Sequence, residues 1–153
     1  MTSRIRIGLA GYGNLGRGVQ AAIARNPDME LVGIYTRRDP QDLQLASPAP
    51  CFAIAELQQH TDQIDVLILC GGSKSDLPEQ GPKYAALYNT VDSFDTHARI
   101  PEYFETVDAP AKAAGKTALI SAGWDPGMFS INRVYGEALL PDGETYTFWG
   151  PGA

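Results

Sequence analysis

Cysteine and histidine are scarce, with two of each in 153 residues. The thiols, Cys51 and Cys70, show no metal-ligand spacing, which excludes a disulfide framework and a zinc ribbon. Each reads as a small buried hydrophobe. Long apolar runs are also missing, and none approaches the roughly 18 residues of a membrane helix. The run Ile7–Ala10 breaks at Gly11, too short for the core of a signal peptide. Basic charge is in deficit: 12 Lys and Arg stand against 18 Asp and Glu, a net charge of −6. That excludes a uniformly basic nucleic-acid binder. It does not exclude a basic pocket inside an acidic protein. The chain is therefore expected in the cytoplasm, with neither membrane nor nucleic acid as a partner.

What is present suits one ordinary domain. Hydrophobic residues make up 44% and charged residues 20%, which excludes overall disorder. At this length a core needs no metal or disulfide. Strands are expected at Ile5–Leu9, Glu30–Thr36, Asp65–Cys70, Thr90–Asp92, Lys116–Ser121 and Glu144–Trp149. Apolar spacing predicts helices at Asn14–Arg25, Ala55–His60, Pro78–Tyr88, Pro101–Ala114 and Pro126–Leu140. A kink is expected at Pro110 and a helix stop at Gly115. Residues Arg37–Pro50 are polar and proline-rich and read as a loop. Strands that alternate with helices, several of them almost continuously apolar, give an α/β class: a Rossmann-like, doubly wound parallel sheet.

Gly11-Tyr12-Gly13-Asn14-Leu15-Gly16 matches G-x-G-x-x-G between the first strand and the first helix, where the motif has mechanical meaning. The first glycine permits a tight turn, the second lets the backbone approach a pyrophosphate, and the third lets helix and strand pack closely. The helix N-terminus offers free N–H groups to the phosphate. An NAD-binding chain usually ends its second strand with an acid for the ribose 2′-hydroxyl. Here Thr36-Arg37-Arg38 stands instead. Two guanidiniums can hold a 2′-phosphate by charge-assisted bonds, so the expected cofactor is NADP. Asp39, one residue later, is poorly placed for the ribose. Cys70-Gly71-Gly72-Ser73 ends another strand at the edge where this fold binds ligands. Ser73 can reach a phosphate or ribose there, with a plain glycine turn as the alternative.

Asp92-Ser93-Phe94-Asp95 and Gly123-Trp124-Asp125-Pro126-Gly127 end two further strands on the same edge. They bring carboxylates and an aromatic toward the expected nicotinamide position, where acceptors suit a substrate ammonium group. The competing role for each aspartate is helix capping. Asp125, directly before Pro126, is balanced between the two roles. Asp95 is harder to explain as a cap, and Asp92 reads as structural. His97 reads as a surface residue rather than an acid or base, and His60 carries no signal. Trp124 and Trp149 lie beside Gly and Asp, so ligand contact competes with packing.

The chain resembles the meso-diaminopimelate D-dehydrogenase family along nearly its whole length. The resemblance runs through GYGNLGR (Gly11–Arg17), PDMELVGIYTRR (Pro27–Arg38), LCGGS (Leu69–Ser73), PEQGPK (Pro78–Lys83) and TVDSFD (Thr90–Asp95). Its most specific parts are GWDPGMFSINRVY (Gly123–Tyr135) and TFWGPG (Thr147–Gly152). It implies NADP-dependent oxidative deamination at the D-centre of meso-2,6-diaminopimelate, giving L-2-amino-6-oxopimelate and ammonia. Run in reverse, that reaction serves lysine and cell-wall precursor synthesis. By motif match, Tyr12, Gly13, Asn14 and Leu15 contact the pyrophosphate, and Thr36, Arg37 and Arg38 the 2′-phosphate. Cys70, Gly71, Gly72 and Ser73, then Ser93, Phe94 and Asp95, and Ala122, Gly123, Trp124, Asp125 and Pro126, line the nicotinamide half. Asp95, Trp124, Asp125 and Trp149 face the substrate, with Asp95 and Asp125 holding the ammonium and assisting proton transfer. No metal is implied.

The family carries a further C-terminal portion with substrate and dimer contacts. The expectation is therefore an NADP-binding domain over residues 1–143, and at 144–153 the first strand of a truncated substrate and dimerisation domain. The full-length protein is expected to be a homodimer. A polypeptide of these residues alone is expected to bind NADP and turn over poorly. The alternatives are a stand-alone, non-catalytic NADP-binding module or another dehydrogenase of similar cofactor fold, and GWDPGMF argues against the second.

Overall fold

The computed structural model describes residues 4–142. The expected strand at 144–149, and Trp149 with it, lie outside the described residues. The chain divides into two units, Met1–Ala122 and Gly123–Ala153. The expected first domain extended to residue 143, whereas the larger compact unit closes at Ala122. Apolar spacing over residues 126–140 shows that a helix forms there; it does not show which body the helix belongs to.

The larger unit is built on six parallel strands: β1 (Ile5–Ala10), β2 (Met29–Thr36), β3 (Cys51–Ala53), β4 (Val66–Leu69), β5 (Asn89–Asp92) and β6 (Ala118–Leu119). Their order is β3-β2-β1-β4-β5-β6, so the chain winds outward from β1 in one direction and then returns to wind in the other. The helices are α1 (Asn14–Ile23), α2 (Leu77–Ala85) and α3 (Ile100–Ala113). Adjacent strand residues feed opposite faces, as a period of two requires. Leu9 and Ile34 pack in a cluster with Ile23 of α1. Their neighbours Ala10 and Tyr35 pack in another with Tyr84 of α2 and Val107 of α3. Strands covered on both faces explain the near-continuous apolar runs in the sequence.

Several details depart from the sequence expectations. β3 forms in a stretch with no strand assigned, paired to the outer edge of β2 through Ile34–Cys51, Tyr35–Phe52 and Thr36–Ala53. The expected helix at residues 55–60 is a 3₁₀ turn, Ile54–Gln59. The expected strand at residues 116–121 is reduced to two paired residues. Pro110 sits inside α3, which continues to Ala113. The helix then stops as expected at Gly115, whose φ is +63°. The Lys116 and Gly115 N–H groups donate to the Ala111 and Lys112 carbonyls there, a paired C-terminal cap.

In the smaller unit a tight turn leads into α4 (Met128–Leu139). The Asp125–Pro126 peptide is cis, and Gly127 has a φ of +142°. A Cβ on Gly127 would meet the Gly123 carbonyl oxygen at 1.7 Å, so only glycine closes this turn. Among the described residues no helix is long and apolar enough to cross a membrane.

Candidate cofactor-binding site

A cleft of about 290 Å³ opens where β1, β2 and β4 end, at the reversal of strand order. Three backbone segments line it: Gly11–Gly13 after β1, Thr36–Arg38 after β2 and Cys70–Gly72 after β4. The three glycines of the motif do separate work. Gly11 turns the chain at a φ of +101°, and its N–H donates to the Tyr35 carbonyl at 2.8 Å. Gly13 lines the cleft, and a Cβ there would meet nothing within 4 Å, which leaves its outer side open to a ligand. Gly16 is packed from within: its Cβ would lie 2.5 Å from the Gly11 carbonyl oxygen. Asn14 and Leu15 begin α1 and are exposed, which keeps its first N–H groups accessible.

Tyr12 turns away from the opening. Its ring is buried, its hydroxyl donates to Gln20 Oε1, and that hydroxyl accepts from the Ala46 N–H at 2.8 Å. The residue therefore anchors the glycine loop to the segment after β2 while it lines the cleft. Sequence spacing could not separate those two roles.

The arginine pair stands on the opposite wall. Thr36 is buried, and its hydroxyl accepts from the Arg38 N–H at 3.0 Å, which sets the backbone at the end of β2. Arg38 donates from Nη2 to the Tyr12 carbonyl, so its guanidinium lies across the glycine loop. Arg37 pairs with Asp76, Nη1 to Oδ1 at 2.9 Å and Nη2 to Oδ2 at 3.2 Å. Asp39 accepts from the Gln41 N–H at 2.9 Å and caps a 3₁₀ turn. It does not line the cleft, in keeping with its expected poor placement for a ribose.

Two cleft residues, Asp76 and Gln80, are given no site role by the sequence. Asp76 precedes Leu77-Pro78 and looks like a helix cap, yet its side chain makes no capping bond. Gln80 lines the same cleft, one turn further along α2, and its Oε1 is buried without a hydrogen-bond partner among the described residues. Such an oxygen is available to a donor on a ligand. Cys70 is a wall, not a reagent: burial pushes its thiol up to about 12, so it stays protonated.

Beyond the cleft, β5 ends in a locked corner. Asp92 is 2% exposed. Its Oδ1 accepts from the Phe94 and Ser121 N–H groups at 3.0 Å, and its Oδ2 accepts from the Tyr103 hydroxyl at 2.6 Å. This is the structural role expected of it. The Phe94 ring turns inward and stacks on Tyr103 at 4.0 Å, while Ser93 is half-buried and Asp95 exposed. The Asp95 N–H donates to Ser73 Oγ at 2.9 Å, and that hydroxyl lies 3.3 Å from Thr96 Oγ1. Ser73 thus joins the loop after β4 to the loop after β5. The Ala122 N–H donates to the Asp92 carbonyl at 2.8 Å and holds the end of this unit to the same corner. His60 packs structurally, with Nδ1 2.7 Å from the Tyr35 hydroxyl.

In the smaller unit α4 begins at Met128 behind Gly127, so Asp125 is not its cap. The carboxylate instead accepts from Arg133 Nη2 at 2.6 Å. Trp124 leans on Phe129 with ring centroids 5.6 Å apart. Among the described residues no group of three or more His, Cys, Asp or Glu could hold a metal ion.

Residues 123–153 match the family model for the diaminopimelic acid dehydrogenase C-terminal domain. The meso-diaminopimelate D-dehydrogenase of Lysinibacillus sphaericus is 61% identical over 150 residues, covering 98% of this chain and 46% of the relative. Among solved structures, the C. glutamicum DAP dehydrogenase in complex with DAP is 50% identical, with a TM-score of 0.84 over 99% of this chain and 46% of that one. An engineered D-amino acid dehydrogenase bound to NADP+ is also 50% identical, with a TM-score of 0.81 over 90% of this chain and 42% of its own. The chain spans about half the length of the curated relatives it matches. Along 98% of its residues it is homologous to the meso-diaminopimelate D-dehydrogenases.

Proposed function

We propose that this chain holds NADP for the oxidative deamination of the D-centre of meso-2,6-diaminopimelate to L-2-amino-6-oxopimelate and ammonia. The observation that carries the cofactor assignment is the meeting of Arg37 and Arg38 on the glycine-loop cleft, with Asp39 turned aside to cap a 3₁₀ turn. The residues present fit the group. Gly13 leaves room for a pyrophosphate, α1 offers its N-terminal N–H groups, and two guanidiniums face the place of a 2′-phosphate. The relatives' shared name and the NADP+ bound to one solved relative support the same reading.

NADP held there would supply the acceptor for the hydride of the D-carbon. The chain's own residues bind and orient. Asp95 and Asp125 are proposed to accept hydrogen bonds from the substrate ammonium and to take up the proton that the amine must lose before hydride departs. Trp124 and Trp149 are proposed to line the substrate. As the C–H pair leaves, a carbon–nitrogen double bond forms; water adds to it, ammonia departs, and the ketone remains. The Arg133 guanidinium, 2.6 Å from Asp125 Oδ2, holds that carboxylate in its turn. A polypeptide of these 153 residues alone is proposed to bind NADP with little turnover. Cytoplasmic location, read from the apolar runs and the cysteines of the sequence, and a homodimeric whole protein, implied by the family resemblance, belong to the same proposal.

The test is stoichiometric. With meso-diaminopimelate and NADP, the protein carrying this chain is expected to form reduced NADP and ammonia in equal amounts. Asp95→Asn and Asp125→Asn are each expected to reduce kcat by about 10²-fold or more. Cofactor binding without turnover in the whole protein would leave only a nucleotide-binding module.

A further inference from the structure

The arginine that faces the 2′-phosphate position is already clasped by an acid. Arg37 leaves β2 with 68% of its side chain exposed, a setting in which a free arginine samples many rotamers. Here two of its nitrogens engage both oxygens of Asp76, at 2.9 and 3.2 Å. Asp76 is itself fixed. Only 12% of its side chain is exposed, its Oδ2 accepts from the Gly72 N–H at 2.9 Å, and its own N–H donates to the Gly72 carbonyl at 2.8 Å. Gly71 makes room for it, since a Cβ at that position would lie 2.7 Å from Asp76 Cβ. The carboxylate at the head of α2 therefore joins the loop after β4 to the arginine after β2, across the cleft that both line.

A carboxylate beside a phosphate site is a cost, because like charges repel. It must be offset by what it does to Arg37. A guanidinium has five N–H donors, and the pairing uses two, so the rest stay free for a phosphate. With Arg38 present the local charge remains positive. We propose that Asp76 is a positioning residue for Arg37, and through it a determinant of discrimination between NADPH and NADH. This inference rests on the reading of the cleft as an NADP site. NADH has no 2′-phosphate and gains nothing from an ordered Arg37. A purely structural role, exerted through Gly72 on the loop after β4, would act on both cofactors alike.

The experiment measures Kd for NADPH and NADH at one fixed ionic strength, for wild type, Asp76→Asn, Arg37→Ala and the double variant. Asparagine keeps an oxygen for the Gly72 N–H and removes the charge; Asp76→Ser does the same with a shorter side chain and serves if the first variant folds poorly. Asp76→Asn is expected to weaken NADPH roughly three- to ten-fold, the scale of freeing one ordered arginine, and NADH by less than about two-fold. In the Arg37→Ala background the same change is expected not to weaken NADPH further, since only the repulsion between carboxylate and phosphate is then left to lose. Unchanged or tighter NADPH binding by Asp76→Asn would overturn the proposal. So would equal weakening of both cofactors, or effects that add to those of Arg37→Ala. If wild type binds both cofactors alike, or Arg37→Ala leaves NADPH unaffected, the NADP reading of the cleft fails, and the role of Asp76 fails with it.

Discussion

Tyr103 and Asp92 show how one hydroxyl can hold a corner of the site. The Tyr103 O–H satisfies the buried Asp92 Oδ2, and the hydroxyl fits because Gly81 has no side chain: a Cβ there would meet it at 2.1 Å. Burial, and then the adjacent carboxylate, push the phenol well above its ordinary range, so it remains a donor. Tyr103→Phe keeps the ring stack on Phe94 and removes the donor. The expected cost is about 1–3 kcal/mol, the penalty for a buried acceptor left unpaired. Chemical denaturation measures it directly, and an unchanged midpoint would contradict the role given to Asp92. Asp76 differs in kind, because its position before a helix suggested a cap that it does not make. Its partners, Arg37 and Gly72, stand in motifs read for the cofactor, and nothing in their spacing shows that they meet Asp76 in the folded cleft.

Elements explain why the glycine loop is not one uniform feature. Gly13 borders open space, whereas Gly16 lies against the Gly11 carbonyl. Gly13→Ala is therefore expected to leave thermal stability unchanged and to weaken NADPH binding about ten-fold or more, because its methyl enters the space proposed for the pyrophosphate. Gly16→Ala forces α1 away from the turn and is expected to destabilise by about 1–3 kcal/mol. Thermal denaturation alongside NADPH titration separates the two, and equal effects on both readouts would contradict the assignment. The long elements were legible because periodicity and glycine placement act locally: β1, β2, β4 and α1 stand close to where apolar spacing put them. β3 was not legible. Three residues, Cys51–Ala53, cannot display a period, and they form a strand because the edge of β2 offers them partners. For the same reason the strand expected at residues 116–121 shrank, since only Ala118 and Leu119 find partners in β5.

At the scale of the molecule, the order of the strands does the most for function. Two halves wound outward from β1 leave a crevice at its carboxyl end, and the loops after β1, β2 and β4 meet there. The motifs on those loops could be placed from sequence because the fold class fixes which strand ends are neighbours. The inward turn of Tyr12 and the division at Ala122 could not, since both depend on packing that no local pattern encodes. The central claim is that this crevice selects a 2′-phosphorylated dinucleotide through Arg37 and Arg38. The most direct test is calorimetric titration of the chain with NADPH and with NADH at the same ionic strength. The account predicts NADPH binding tighter by at least about ten-fold, the scale of a charge-assisted phosphate contact. Equal affinity for the two, or a preference for NADH, would contradict it.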